Sequence, residues 1–525
     1  MNSDDLCLSI DLGTGGPKIG LVTLDGELLA HELHSVSTHF AEDGEATQDA
    51  GQWWTIVCDA TRRLMRQPGV TPERVKAVAV TGQYVSTVPV DEHGVPTGPC
   101  MTFLDTRGRR YSREAIGGAV QGFNGRRLWQ FIRKTGGAPS TSGDDSVGHI
   151  LFMTNEQPEM CARTRWFLEP VDYLTMRFCG VASGTHASRI GLWLTDNRRL
   201  DHYDYDPQLL RAVGISKRQL PPLVPTGTVL GPVTKDVATS LGLDESTVVL
   251  TGLPDLHAAA YGTGATGLFD AHIAISTTSW VSCPVAKKKT DLFHTMASVP
   301  GLTNDSYIVI NNQDTGAKAL EWFQGILAGQ GNRLSFTEMT ALAATSPAGA
   351  RGVLFTPWLM GERSPIGDRL ARAGFTNLSM TTNTADMIRA VMEGVAANSA
   401  WLFRYVEKFT GQTLSPVRMI GGGAQSSLWC QIFADTLGRE VHQVKDPMFA
   451  QLRGMALMAS VSLGRRRFED LKDVVTPVEV FRPSPHDEEL YRERAGTLAS
   501  LYQRDRTWRR RQRKRRPRTP TPSLG

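Results

Sequence analysis

The sequence predicts an α/β protein of two similarly designed halves, followed by a short basic tail. Three observations lead there. The chain has 525 residues, too many for one hydrophobic core, so two or three domains are expected. A strand–polar turn–strand unit opens the chain at 6–24 and a comparable one lies at 273–285, each with helical-period segments nearby. Ten Lys/Arg and one Asp crowd into 504–518.

Composition removes several other classes. With 41% hydrophobic and 21% charged residues, the chain has ordinary globular usage, which excludes wholesale disorder, collagen-like repeats and a disulfide-stapled miniprotein. No apolar run reaches the length of a membrane span. The start, Met1-Asn2-Ser3-Asp4-Asp5, is acidic and runs straight into a strand, which argues against a signal peptide. The seven cysteines are scattered and never form CxxC, so reduced thiols in a cytoplasmic protein are expected, with no zinc site. Net charge is +4, but the segment 504–518 alone carries +9. The rest of the chain, with 47 basic and 52 acidic residues, is mildly acidic at −5.

The elements follow in order. Leu6-Cys7-Leu8-Ser9-Ile10 reads as a strand, 11–18 as a polar turn and 19–24 as a second strand; Asp25-Gly26 signals a hairpin into a third strand at 27–32. Segments 77–81 and 86–90 read as another strand pair. A strand at 246–251 leads to Asp255, and 258–261 looks helical. Strands at 273–276 and 280–285 flank Thr277-Thr278-Ser279. Apolar residues at 388, 391, 392, 395, 402 and 406 predict a long helix over 384–409. Met419-Ile420 then runs through Gly421-Gly422-Gly423-Ala424 into a helix at 428–437. These signals put lobes at 1–246 and 247–503 and a disordered basic tail at 504–525, which could also touch nucleic acid or an anionic surface.

Each glycine turn alone is a weak signal; their order carries the chemistry. Asp11, Thr14 and Lys18 lie in one hairpin turn, Asp255 after a strand, Thr278 and Ser279 in a second hairpin turn, and Gly421 to Ala424 at a helix start. Backbone N–H groups and hydroxyls can cradle a polyphosphate, a carboxylate can hold magnesium and a lysine can neutralise developing charge. A second carboxylate can take the proton of an attacking hydroxyl. Asp255 can equally be a helix N-cap, His257 a packed histidine, and Trp53-Trp54 either packing or pocket wall.

With these residues stand Gln48-Asp49, Thr81-Gly82-Gln83, Phe103-Leu104-Asp105-Thr106-Arg107, Asp172-Tyr173-Leu174, Gly361-Glu362-Arg363-Ser364-Pro365 and Arg389-Ala390-Val391-Met392-Glu393-Gly394. The chain resembles the FGGY carbohydrate kinases of the actin/hexokinase-like ATPase superfamily, nearest their xylulokinase branch, over roughly 6–500. The resemblance implies two ribonuclease-H-like lobes around a cleft, with ATP and Mg2+ as cofactors and a small sugar or polyol as partner; a homodimer stays open. It implies Asp11 as the magnesium-positioning carboxylate and Thr14 and Lys18 facing the nucleotide phosphates. Asp255 matches the general base, Thr278 and Ser279 the second phosphate loop, and Gly422, Gly423, Ala424 and Ser427 the adenosine side. Gln83, Tyr84, Val85, Asp105 and Arg107 fall on the sugar side. Four positions depart from the family pattern. Thr277 stands for a glycine, a poor substitute if the backbone there has positive φ, and Pro17 removes an N–H donor. Together they motivate an alternative, a catalytically weak pseudokinase that binds sugar or nucleotide. Tyr84-Val85 replaces Met-His and Phe103 a tryptophan, which counts against D-xylulose as first substrate.

Overall fold

The structure, a computed structural model, describes residues 4–513 apart from Gln121, Gln330 and Asn332. The first sheet grows from the opening hairpin. Strand β1 (Leu6–Gly13) pairs antiparallel with β2 (Gly16–Thr23), which pairs with β3 (Leu28–Leu33). The turn is shorter than the sequence suggests: β1 runs on to Gly13, so Asp11 and Lys18 face each other across the ladder and only Thr14-Gly15 turn. Gly16 makes this possible. It has φ 138°, and a Cβ there would stand 2.0 Å from the His34 carbonyl oxygen.

Strand β4 (Val75–Gly82) lies parallel to β1, but its expected pairing with the next strand does not form. The chain leaves β4 at Gly82, and β5 (Val88–Val90) pairs instead with β6 (Trp166–Leu168). Helix α1 (Ala50–Leu64) buries Trp53 completely and sets Trp54 edge-on to Phe178, so both tryptophans are packing. Helices α2 (Ser146–Glu156) and α3 (Pro170–Cys179) follow. Strand β7 (Val229–Pro232) then pairs with β8 (Val248–Leu250), and both β8 and β9 (Leu253–Pro254) lie parallel to β4. Residues 248–254 therefore belong to the first sheet, and the lobe boundary falls after them, not at 246.

Two helices separate the lobes. Helix α4 (Asp255–Thr263) starts directly after β9. The second lobe is a five-stranded sheet in the order β11-β10-β12-β13-β14: β10 (Ala271–Ile275), β11 (Ser279–Ser282), β12 (Val417–Ile420), β13 (Val441–Val444) and β14 (Pro477–Phe481). Its helices are α5 (Lys318–Ala328), α6 (Thr384–Thr410) and α7 (Ser427–Leu437). Helix α6 spans the predicted segment. Asn383 and Asp386 form its capping box and Gly411, at φ 73°, ends it. Helix α8 (Ala450–Ser462) then returns to lie on α4. The pair is sandwiched between sheets, with Cys7, Val22, Ala77 and Ala79 on one side and Ala274, Ile420 and Val444 on the other.

The tail departs from expectation. Helix α9 (Glu488–Arg513) continues through 504–513, and residues 514–525 lie outside the described residues. Tyr491, Leu498, Leu501 and Tyr502 are buried. The Tyr502 ring meets Trp358 edge-on at 5.7 Å and its hydroxyl donates to Asp368 at 3.0 Å. The Arg509 guanidinium lies 5.6 Å from both the Trp358 and Tyr502 rings. A guanidinium spread on aromatic faces can close a buried surface, so the folded body reaches past 503. Tyr502→Ala should cost about 3 kcal/mol or more, as large aromatic truncations do; urea unfolding checks this. Among the described residues no helix is long and apolar enough to cross a membrane.

Candidate active site

Three parallel strands of the first sheet end together. Register pairs Asp11 with Thr81 and Leu12 with Gly82 on one side of β4, and Leu253 with Thr81 and Pro254 with Gly82 on the other. The residues just beyond those ends converge, as expected for a ligand site at the carboxyl ends of parallel strands. Lys18 donates to Asp11 Oδ2 at 2.8 Å. Asp255 opens α4, where its Oδ1 accepts the Leu256 amide at 2.6 Å. Burial pushes the Asp255 carboxyl up to about 7, reinforced by the like charge of Asp11; the Leu256 amide and Lys18 pull it down. An aspartate in this state is poised to accept a proton near neutrality. His257 is fully buried, shares a 2.8 Å hydrogen bond with the Pro300 carbonyl and is pushed down to about 4, so it stays neutral and structural.

Gln48 ties the hairpin turn to the sugar-side turn. Its Nε2 donates to the Thr14 carbonyl at 2.9 Å, and its Oε1 accepts Gln83 Nε2 at 3.1 Å. Gln83 Oε1 is buried with no partner among the described residues. Burial pushes the Tyr84 phenol well up, with the Asp255 charge adding to it and Arg363 of the second lobe opposing. Val85 stands at φ 62°, a genuine outlier for a β-branched residue. Asp105 and Arg107 sit elsewhere in the expected set. Asp105 is fully buried, with Oδ2 accepting the Ala46 amide at 3.0 Å and both oxygens taking Arg107. They hold their own loop onto the strand that carries Gln48, and among the described residues neither is hydrogen-bonded or ion-paired to Asp11 or Asp255.

The second lobe repeats the pattern. Adjacent parallel strands β10 and β12 end at Ile275 and Ile420. Gly421, at φ 92°, packs so closely on the first loop that a Cβ would stand 2.5 Å from the Ile275 carbonyl oxygen. The turn after β10 is held from the start of α5, where the Gly316 amide donates to Thr277 at 2.9 Å and the Ala317 amide to Ser276 at 2.6 Å. Thr278 is half-buried and Thr277 exposed, and Thr277 is not among the residues at positive φ. The strain expected there is absent. Pro17 likewise lies within the β2 ladder opposite Leu12, its side chain buried. Ser279, expected in the phosphate set, is the first residue of β11, its hydroxyl buried against Ser399 at 3.4 Å and its amide bonded to the Gln313 carbonyl.

In the third loop Gly422 is exposed, whereas Gly423 and Ala424 are buried. A Cβ on Gly423 would stand 2.5 Å from Ile275, and the Ala424 carbonyl accepts Gln443 at 2.6 Å. Ser427, exposed at the start of α7, donates to Glu479 at 2.9 Å. The sequence reading missed Asp314 and left Arg363 without a role. Arg363 pairs with Asp314 at 3.0 Å, whose Oδ2 is buried and unpartnered among the described residues. Glu362 is buried behind them, accepting the Asp314 and Arg363 amides and Asn398, and burial pushes it up to about 8. A polar Gln313-Asp314-Thr315-Gly316 run before an apolar helix was the available signal.

Comparison with known proteins agrees over nearly the whole chain. Residues 6–262 match the N-terminal domain of the FGGY family of carbohydrate kinases and 261–463 its C-terminal domain. A xylulose kinase of Staphylococcus epidermidis is 26% identical over 500 residues, covering 95% of this chain and 96% of its own length. A gluconokinase of Bacillus subtilis is 24% identical over 489 residues, covering 90% and 92%. The solved ligand-bound xylulose kinase of Lactobacillus acidophilus superposes with a TM-score of 0.83 at 20% identity, over 95% of this chain and 98% of that one. With both domain models matched in order and the carboxyl-end loops of both sheets in place, the chain belongs to the FGGY family of carbohydrate kinases.

Proposed function

We propose that this kinase transfers the γ-phosphate of ATP to a hydroxyl of a small ketose, polyol or sugar acid, with Asp255 as the general base. The observation that carries the reading is the placement of the Asp255 carboxyl at the head of α4, beside the Asp11–Lys18 pair at the carboxyl ends of β1, β4 and β9; its raised affinity for a proton agrees. Thr14, Lys18 and Thr278 face the phosphates in this reading, and Gly422, with Gly423 and Ala424 shaping its loop, opens toward the adenosine side. The substrate range takes support from relatives named for xylulose and for gluconate.

Magnesium fits the residues present. Lys18 holds only one oxygen of Asp11, and the Asp11 charge raises Asp255, a like-charge conflict that a cation would relieve. No group of three or more His, Cys, Asp or Glu side chains forms a metal cage among the described residues, in keeping with an ion that keeps its waters and takes one carboxylate plus substrate phosphates. Asp11 would hold it, and bound there it would supply neutralising charge to those phosphates.

Gln83 Oε1, an acceptor with no partner among the described residues, suits a sugar hydroxyl, and the Tyr84 phenol can donate to another. Val85 offers no polar atom, so D-xylulose, which loses one contact on this reading, should be a secondary substrate. The pH profile tests the base. Asp255 must be deprotonated to act, so kcat/KM for the sugar at saturating nucleotide should fall about tenfold per pH unit on an acid limb and level off above it; burial and Asp11 raise that limb in the free protein, and magnesium on Asp11 lowers it. The absence of any acid limb would contradict the assignment.

A further inference from the structure

The turn that carries Tyr84 and Val85 is held from behind by a carboxylate with no part in the chemistry. Glu169 is fully buried and sits just before α3, at the end of β6. Its Oε2 accepts the Ser86 amide at 3.1 Å, and the Val85 amide also points to this carboxylate. Its Oε1 accepts the Ser146 hydroxyl at 2.8 Å, from the first residue of α2. Successive backbone amides turned onto one anion form a nest, a conformation that needs a residue at positive φ. Here that residue is Val85, at φ 62°. A β-branched residue does not stay in that region unless its surroundings fix it there. Gly191 closes the other side, where a Cβ would stand 2.7 Å from Val85 Cγ2.

We propose that Glu169 is a positioning residue, holding the strained Tyr84–Val85–Ser86 turn so that its side chains meet the sugar. The proposal rests on the reading that 83–85 line the sugar side. It predicts an asymmetry: loss of the carboxylate loosens sugar binding and leaves the nucleotide side untouched, because among the described residues Glu169 has no hydrogen bond or ion pair to Asp11, Lys18 or the second-lobe loops. Glutamine should substitute, its oxygen accepting the two amides and its NH2 donating to Ser146. Val85→Gly should make the carboxylate dispensable, since glycine adopts positive φ without strain.

The test compares Glu169→Gln, Glu169→Leu, Val85→Gly and the double variant Val85→Gly/Glu169→Leu. With the preferred sugar, Glu169→Leu should raise sugar KM about 10–100-fold, the usual loss for a buried charged hydrogen bond, with kcat and ATP KM within about threefold. Glu169→Gln should stay within about threefold of wild type, and the double variant should recover most of the loss relative to Val85→Gly. Where Glu169→Leu does not fold, Glu169→Asp, which withdraws the carboxylate by one methylene, takes its place with the same expectations. Amide hydrogen exchange of the 84–87 segment needs no sugar and separates this proposal from the kinase reading. It should quicken at least about tenfold in Glu169→Leu or Glu169→Asp and not in Glu169→Gln. If no sugar is turned over but exchange behaves so, the kinase reading fails and the hold on the turn stands. Unchanged exchange, an equal rise in ATP KM, or a defect that Val85→Gly does not relieve would overturn the proposal.

Discussion

Asp255→Asn should lower turnover by about 10²–10⁴-fold while nucleotide binding persists, the usual loss when a general base is removed and shape is kept. The amide fills the same space at the head of α4 and still accepts the Leu256 amide, but it cannot take a proton from the attacking hydroxyl. Stability gives an independent control with a definite sign. The Asp255 carboxyl is raised in the fold, to about 7, from about 4 in an unfolded chain. The native state therefore binds the proton more tightly, and wild type loses stability as pH rises from about 4 through about 7. Asparagine has no such titration. The variant should melt at or above the wild-type temperature at pH 8, with the advantage shrinking toward pH 4. A variant that is inactive and melts lower at pH 8 would mean that Asp255 supports the fold instead of the reaction.

Gly454→Val should be strongly destabilising. Helices α4 and α8 cross with their backbones touching: a Cβ on Gly262 would stand 1.7 Å from the Ala450 carbonyl oxygen, and one on Gly454 1.9 Å from that of Ala258. These obstacles are backbone atoms in the layer between two sheets, so no side chain can swing away. Overpacking of a rigid core costs roughly 1–3 kcal/mol and more when backbone must move, so about 3 kcal/mol is a lower expectation here. With an unfolding entropy of about 2.1 cal/mol/K per residue, that is a fall of about 3 °C in melting temperature for a chain of 525 residues unfolding as one unit. Because Asp255 heads α4, the residual folded protein should also lose activity. Calorimetry of the variant beside wild type reads the first effect, and the rate per folded molecule reads the second. A melting temperature within about 0.5 °C, roughly the shift from a sub-kcal/mol change in a chain of this length, would show that the crossing can open without cost.

Much of this site was legible in the sequence because its parts are local. Glycines between short apolar strands mark Thr14 to Gly16 and Gly421 to Ala424 without any tertiary knowledge, a run of small hydroxyl residues between two such strands marks Ser276 to Ser279, and Asp255 stands out after its strand. What could not be read are contacts between distant segments. Glu169 reaches Ser86 across 83 positions and Gln48 reaches Gln83 across 35, and neither has a local pattern that announces a partner. The lobe boundary was misplaced for the same reason: β8 and β9 join β4 by ladders that sequence periodicity does not specify. The C-terminal helix failed differently. Tyr491, Ala495, Leu498 and Tyr502 form a helical stripe that continues past 500, but it ends in Arg509, whose charge hides the apolar surface it covers.

The central claim is that a sugar hydroxyl, not water, receives the phosphoryl group. Phosphorus NMR of the products answers it most directly, after incubating the protein with ATP, magnesium and, separately, pentuloses, polyols and sugar acids. The expected result is a new phosphomonoester resonance with at least one of these acceptors, in one-to-one yield with ADP, and little inorganic phosphate. ADP accompanied only by inorganic phosphate, or no ADP with any acceptor, would contradict it.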